Sequence, residues 1–224
     1  RGLVLNRARE LVYAIAAALD GEPAGDVRRW RDNCERLAVV TAAAQPERAL
    51  DRFAELPQIV AVIEREERRA IGVTVEGVPV ELVSAEPAAY GTALVRATGA
   101  PAYVHALEPL PDAPDELAVY AALGLTWCPP ELRERLLKDE PPPLLEETDI
   151  RGDLHSHTTL SDGRNTAEEM ALAARDLGLE YIAITDHSAS HGFGNHVEPD
   201  ELRRQIEQVR ELNERIEGIE VLVG

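Results

Sequence analysis

Three histidines and one aspartate are spaced so that they could build a metal site. His155 and His157 are two residues apart in an apolar segment, and side chains at i and i+2 of a strand share a face. Two neutral imidazoles on one face can bind a single metal ion. Asp162 follows in a Ser-Asp-Gly turn, and His187 comes just after a second apolar segment, residues 181–185. This pattern predicts a metal centre, and hydrolysis is the chemistry that such centres most often support.

Short apolar segments alternate with amphipathic ones around these residues. The pattern predicts strands at 152–157, 181–185 and 219–223, and helices at 166–177 and 198–217. Strands that are separated by helices indicate parallel βαβ units. The candidate ligands would then meet at the mouth of adjoining parallel strands.

Two motifs in this region resemble the opening of a PHP (polymerase and histidinol phosphatase) domain. They are Asp-Leu-His-Ser-His-Thr-Thr-Leu-Ser-Asp-Gly at 153–163 and Ile-Thr-Asp-His-Ser at 184–188. PHP domains are distorted β/α barrels that hold two or three metal ions and hydrolyse phosphate esters, including DNA 3′ ends. The resemblance implies Mn²⁺ or Zn²⁺ rather than Mg²⁺ as the cofactor and a phosphate ester as the substrate.

The resemblance also implies a role for individual side chains. His155 and His157 would bind a first metal ion, and Asp162 and His187 another, although Asp162 could also be an ordinary turn aspartate. By position, Asp153 and Asp186 are better interpreted as hydrogen-bond acceptors behind the ligands or at the strand ends than as ligands, and they could orient the imidazoles. Contact with substrate or exposure to solvent is expected for His191 and His196, which belong to a glycine-rich loop.

The barrel would not be complete within these residues. A β/α barrel needs about 200–250 residues, whereas 74 remain from Arg151 to Gly224. We therefore expect about three of the barrel's strands here. By resemblance, a bridging glutamate and further ligands would follow Gly224. The residues present would then bind metal weakly and be inactive alone.

Several segments of the first half resemble, in order, the palm of bacterial family X DNA polymerases, which precedes a PHP domain in that family. They are residues 24–32, 46–56, 71–83, 90–94, 98–99, 120–125 and 129–134. The predicted fold class is α/β: a palm-like α+β region at 1–128, a proline-rich linker at 129–150, and the beginning of a PHP-type barrel at 151–224. Predicted helices lie at 7–19, 47–56, 88–98, 116–123 and 131–139, with a strand at 37–41 and a hairpin at 71–83.

The palm-like region departs from the family where the polymerase binds its metals. The family's three aspartates align with Arg36, Ala38 and Glu81, and Gly25-Asp26 replaces a Gly-Ser that faces the incoming triphosphate. Nucleotidyl transfer needs carboxylates that hold two ions about 4 Å apart. We therefore predict that this region has no polymerase activity. The basic turn at residues 28–31 could still contact a nucleic acid backbone, or be a solvated remnant.

Composition restricts which partners the protein is expected to bind and in which cellular compartment it is expected to lie. The formal charge is −18, with 7 basic and 15 acidic residues in 151–224 and 16 and 26 in 1–150. Because both halves of the chain are acidic, binding of duplex DNA through its phosphates is disfavoured. Two cysteines make no disulfide framework and favour a reducing cytoplasm. The longest apolar run, Leu11–Leu19, is too short to span a bilayer. The sequence predicts no oligomeric state.

The sequence thus predicts a divalent-metal phosphoesterase of PHP type attached to an inactive polymerase-like region. Two alternatives remain: a repair polymerase with a 3′–5′ exonuclease, and a non-catalytic interaction module.

Overall fold

A computed structural model of the chain describes residues 2–191 and 194–224, and nothing is described of the side chain of His191. The chain divides into two compact units, Arg1–Pro142 and Pro143–Gly224. The division falls inside the segment 129–150 that was predicted to be a linker. Both units mix helices with strands, which confirms the predicted α/β class.

The first unit holds seven strands and five α-helices among the residues described. In chain order they are β1 (Leu3–Val4), α1 (Leu5–Ala18), β2 (Glu22–Gly25), β3 (Asn33–Cys34), β4 (Leu37–Ala42), α2 (Pro46–Ala54), β5 (Ile59–Arg65), β6 (Arg69–Thr74), β7 (Pro79–Ala85), α3 (Tyr90–Thr98), α4 (Pro101–Leu107) and α5 (Glu116–Ala122).

Five of these strands form one mixed sheet in the order β2-β4-β7-β6-β5. β4 and β7 are parallel, and the other neighbours are antiparallel. Helix α1 packs on the sheet through Ala8, Val12 and Ile15, which recur at helical spacing and are fully buried. Phe53 of α2 joins the same core.

A smaller core lies around α3, α4 and α5 and includes Tyr103, Tyr120 and Cys128. Arg133 is 0% exposed, and its guanidinium donates to both carboxylate oxygens of Glu116. The start of the proline-rich segment therefore packs within the first unit.

The second unit is a three-stranded parallel sheet with two helices. Its elements are β8 (Gly152–Ser156), α6 (Ala167–Asp176), β9 (Tyr181–Ile184), α7 (Pro199–Arg215) and β10 (Glu220–Val223), and the strand order is β10-β9-β8. Capping boxes begin both helices: Thr166 exchanges hydrogen bonds with Glu169, and Glu198 with Glu201. The alternation predicted from sequence is confirmed, with boundaries within two residues.

The structure differs from the sequence predictions in several elements of the first unit, among them the short strands β1, β2 and β3, which were not predicted. The predicted helix at 131–139 is wrong, because only a 3₁₀ turn forms at Pro130–Leu132 and the burial of Arg133 overrides helical propensity. Strand β5 and helix α4 were not predicted. Among the described residues, no helix combines the length and apolar character needed to cross a bilayer.

Candidate metal centre

The parallel pairing of β8 and β9 brings three of the four predicted ligands together. One ligand atom each from His157, Asp162 and His187 lies within 4.8 Å of the other two. His157 follows the last residue of β8, and His187 lies three residues beyond β9. The two histidines therefore meet at the carboxyl edge of the sheet, as the alternation of strands and helices predicts.

The carboxylate of Asp162 lies between the two imidazoles. Its Oδ1 is 2.7 Å from Nδ1 of His157, and its Oδ2 is 3.5 Å from Nε2 of His187. The rings of the two histidines meet edge to face, with their centroids 4.3 Å apart. Two imidazole nitrogens and one carboxylate oxygen thus lie close together. The histidines come from the segments that follow β8 and β9, and the carboxylate comes from the turn after β8.

The charge of Asp162 suits a cation. The hydrogen bond from His157 lowers the pKa of Asp162, and the nearby His187 acts in the same direction, which outweighs slight desolvation. The carboxyl group is therefore ionised near neutral pH. An ionised carboxylate only accepts hydrogen bonds, so Nδ1 of His157 carries the proton in this arrangement.

A tight turn holds Asp162 in place. The carbonyl oxygen of Thr158 accepts hydrogen bonds from the amides of Ser161 (3.1 Å) and Gly163 (2.9 Å). At Gly163, a Cβ atom would lie 2.0 Å from the carbonyl oxygen of His157, so no larger residue fits without a shift of the backbone. Space in the turn therefore requires glycine at position 163.

Asp186 fixes the same turn. Its carboxylate accepts hydrogen bonds from Thr158 N and Oγ1 at 2.7 and 2.6 Å, and from Ser161 Oγ at 2.5 Å. A fourth comes from Nε2 of Gln205 in α7 at 2.5 Å. Partial burial opposes the charged form, but the bonds from Ser161, Thr158 and Gln205 prevail and lower the pKa of Asp186. The carboxylate of Asp186 therefore joins the turn at residues 158–163 to helix α7. The predicted hydrogen bond between Asp186 and an imidazole stays a prediction.

Gln205 was missed by the sequence analysis, although a signal was present. Val209 and Leu212, which follow it by four and seven residues, are buried on the inner face of α7. Gln205 occupies the same face and is 2% exposed. A polar residue in an apolar stripe indicates a specific hydrogen-bond partner inside the fold.

His155 lies outside the group of three. It is exposed, and its ring centroid is 5.2 Å from that of His157. A register shift between Asp153 and Ser156 interrupts the pairing of β8 with β9 at this point. Asp153 accepts a hydrogen bond from the backbone amide of His155 at 2.9 Å, so it fixes this backbone. The roles predicted for His155 as a ligand and for Asp153 behind the imidazoles stay predictions.

His191 and His196 are the two histidines of the glycine-rich loop. The side chain of His191 falls outside the described residues. His196 is partly exposed and its Nε2 lies 3.0 Å from Oε1 of Glu198, next to the start of α7. A substrate contact by either histidine stays a prediction.

In the first unit, the positions aligned with polymerase carboxylates do meet. Ala38 of β4 lies opposite Glu81 of β7, and both line a cavity of about 150 Å³ together with Arg36. The guanidinium of Arg69 donates to the carboxylate of Glu81. Nη1 of Arg36 donates to the carbonyl oxygen of Gly99 at 3.1 Å. The region therefore holds the guanidinium groups of Arg36 and Arg69, and the charge of Glu81 is offset by Arg69.

Asp26 is also engaged within the protein. It is 6% exposed and accepts hydrogen bonds from the amides of Glu35 (2.7 Å) and Arg36 (2.8 Å) and from Nη2 of Arg29 (2.5 Å). The buried carboxylate anchors the turn at residues 26–36. The Asp26 carboxylate is thus already bonded within the protein.

Comparison with known proteins agrees with the geometry of the second unit. Residues 153–224 match the PHP domain. The PHP segment thus begins at β8 and contains all four predicted metal ligands.

Two curated proteins are similar to the chain. A DNA polymerase/3'-5' exonuclease PolX of Bacillus subtilis (strain 168) is 30% identical over 230 residues, which cover 90% of this chain and 40% of that protein. A phosphoribosyl 1,2-cyclic phosphate 1,2-diphosphodiesterase of Eggerthella lenta is 35% identical over 72 residues, or 32% of this chain and 22% of that protein. The chain thus spans about two fifths of the first relative. Both resemblances seen in the motifs are confirmed.

The residues present in the PHP segment fit a divalent metal. Imidazole nitrogen suits Zn²⁺, and the carboxylate adds the oxygen ligand that Mn²⁺ favours. Nδ1 of His157 and Oδ1 of Asp162 hydrogen-bond to each other. The three side chains at the sheet edge are of the types and spacing that could hold a cation.

Proposed function

We propose that the PHP segment contributes to a divalent-metal phosphoesterase centre. The observation that carries the proposal is the convergence of His157, Asp162 and His187 within 4.8 Å at the carboxyl edge of a parallel sheet. The match to the PHP domain supports phosphoester hydrolysis, as do the exonuclease and phosphodiesterase activities for which the two relatives are named. The substrate would be a small phosphate ester or a DNA 3′ end.

The protein's own residues would perform three tasks. His157, Asp162 and His187 would hold Mn²⁺ or Zn²⁺, with His155 as a further ligand. The turn around Thr158 would keep Asp162 in position. A divalent ion in such a centre lowers the pKa of bound water and offsets charge on phosphoryl oxygens.

The test compares metal binding and phosphodiester hydrolysis in the full gene product and in His187→Ala. We expect the variant to bind less Mn²⁺ and Zn²⁺ and to lose hydrolysis of bis-p-nitrophenyl phosphate. His105→Ala is the matched control, because His105 is exposed on α4 in the other unit. Equal metal content in His187→Ala and the unaltered protein would contradict the proposal.

For the first unit we propose that it has no polymerase activity. The alternative is a repair polymerase, which the similarity to the Bacillus subtilis protein suggests. It is opposed by the pairing of Glu81 with Arg69 and by Ala38 at the position opposite. A site with one carboxylate, already bonded to a guanidinium, does not hold two Mg²⁺ ions.

A further inference from the structure

Gln205 is a buried polar residue whose side chain reaches the carboxylate of Asp186 across the fold. Its Nε2 donates to Oδ2 of Asp186 at 2.5 Å, and the residue is 2% exposed. A buried side-chain amide that lacks a hydrogen-bond partner destabilises the fold, because its desolvation is not compensated. An apolar side chain at position 205, on the same face of α7 as Val209, would need no hydrogen-bond partner.

Asp186 connects three parts of the second unit through this contact. It directly precedes His187, and its other hydrogen bonds go to Thr158 and Ser161, which begin the turn that carries Asp162. With Gln205 on α7, the carboxylate is held from both sides. The relative positions of two candidate ligands, Asp162 and His187, therefore depend on a carboxylate that α7 anchors.

A merely structural link between α7 and the sheet already exists elsewhere. The side-chain amide of Asn213 donates to the carbonyl oxygen of Val221 and accepts from its amide, both at 2.8 Å. This pair joins α7 to β10. Gln205 instead makes its bond at the opposite strand end, beside the ligands.

We propose that Gln205 is a positioning residue of the metal centre and acts through Asp186. The inference rests on the proposed function of the PHP segment. It adds that helix α7 sets the spacing between Asp162 and His187, and hence the affinity for the ion. Groups that orient metal ligands from behind typically change metal affinity by about 10–100-fold when they are removed.

The test titrates the full gene product with Mn²⁺ alone by calorimetry and follows unfolding by circular dichroism. Gln205→Leu should bind Mn²⁺ at least about ten-fold more weakly with unchanged stoichiometry. Gln208→Leu makes the same change at an exposed site of α7 and should bind normally. Asn213→Ala should lower the unfolding temperature but leave Mn²⁺ affinity unchanged.

A double-mutant cycle examines the route through Asp186. Once Asp186→Asn is present, adding Gln205→Leu should change Mn²⁺ affinity little, because both substitutions break one network. Additive losses would overturn the inference, as would normal Mn²⁺ binding by Gln205→Leu or an equal loss in Asn213→Ala. If Gln205→Leu does not fold, Gln205→Met provides the same comparison. Absence of Mn²⁺ and Zn²⁺ binding by the unaltered protein would instead refute the proposed function.

Discussion

The carboxylate of Asp162 lies 2.7 Å from Nδ1 of His157, although the two residues belong to a turn and a strand end. The turn brings Asp162 back over the sheet edge, where it also approaches His187. This side chain is the only candidate oxygen ligand in the group of three that the described residues form. Its loss should therefore affect different metals unequally.

Asp162→Ala should weaken Mn²⁺ binding more than Zn²⁺ binding. Carboxylate oxygen is a preferred ligand of Mn²⁺, whereas imidazole suits Zn²⁺ well. We expect at least a roughly ten-fold loss for Mn²⁺, since removal of a group behind a ligand already has that effect. Competition titrations with a metal-sensitive dye measure both affinities. Equal losses for the two ions would contradict the expected preference, and no loss for either would show that Asp162 is not a ligand.

The second unit was predictable because its sequence is locally consistent. Apolar strands and capped helices alternate, and the order alone implies parallel pairing. The meeting of His157 with His187 follows from that topology. The displacement of His155 could not be predicted, because the register shift between Asp153 and Ser156 arises from pairing with β9.

The first unit was harder to predict because tertiary contacts decide its details. Residues 59–63, Ile-Val-Ala-Val-Ile, carry a β-branched signal for β5 that periodicity alone leaves ambiguous. The buried pair of Arg133 with Glu116 joins residues 17 apart, and no local pattern indicates it. That contact replaced a predicted helix with irregular backbone.

Glu116→Gln should destabilise the first unit. Glu116 accepts bonds from Arg28 and from Arg133, which is 0% exposed, so the substitution leaves a buried guanidinium without its counter-charge. Breaking a buried pair in this way costs about 3–5 kcal/mol. Urea unfolding followed by Trp127 and Trp30 fluorescence measures the change. Glu10→Gln removes an exposed pair with Arg7 and should change stability by less than about 1 kcal/mol.

The same pair predicts an acid-dependent loss of stability. Burial opposes the charged form of Glu116, but bonds from Arg133 and Arg28 prevail and lower its pKa below the ordinary 4.5. A carboxyl whose pKa is lower in the folded state stabilises the fold fully above its unfolded pKa. That contribution declines below about pH 4.5 and is lost as the pH falls through the folded pKa. Glu116→Gln should flatten this part of the pH–stability curve; an unchanged slope would contradict the assignment.

The palm-like unit should not incorporate nucleotides. Arg69 neutralises Glu81, and Ala38 offers no ligand opposite it. A primed template with dNTPs and Mg²⁺ should therefore show no extension by the full gene product. Arg69→Ala should not create activity, since one carboxylate cannot hold two ions. Extension that disappears in Glu81→Ala would prove this interpretation wrong.

Gly163→Ala should disturb the metal centre through the backbone alone. The added Cβ would lie 2.0 Å from the carbonyl oxygen of His157, so either the turn or the end of β8 must move. Forced shifts of this kind cost about 1–3 kcal/mol, and here they also separate Asp162 from His157. We expect a lower unfolding temperature and weaker Mn²⁺ binding. Thr159→Ala, at an exposed site in the same turn, should leave both unchanged. Gly163→Ala could instead lower stability and leave Mn²⁺ affinity unchanged. The turn would then not position a metal ligand, because moving Asp162 would have had no effect on the ion.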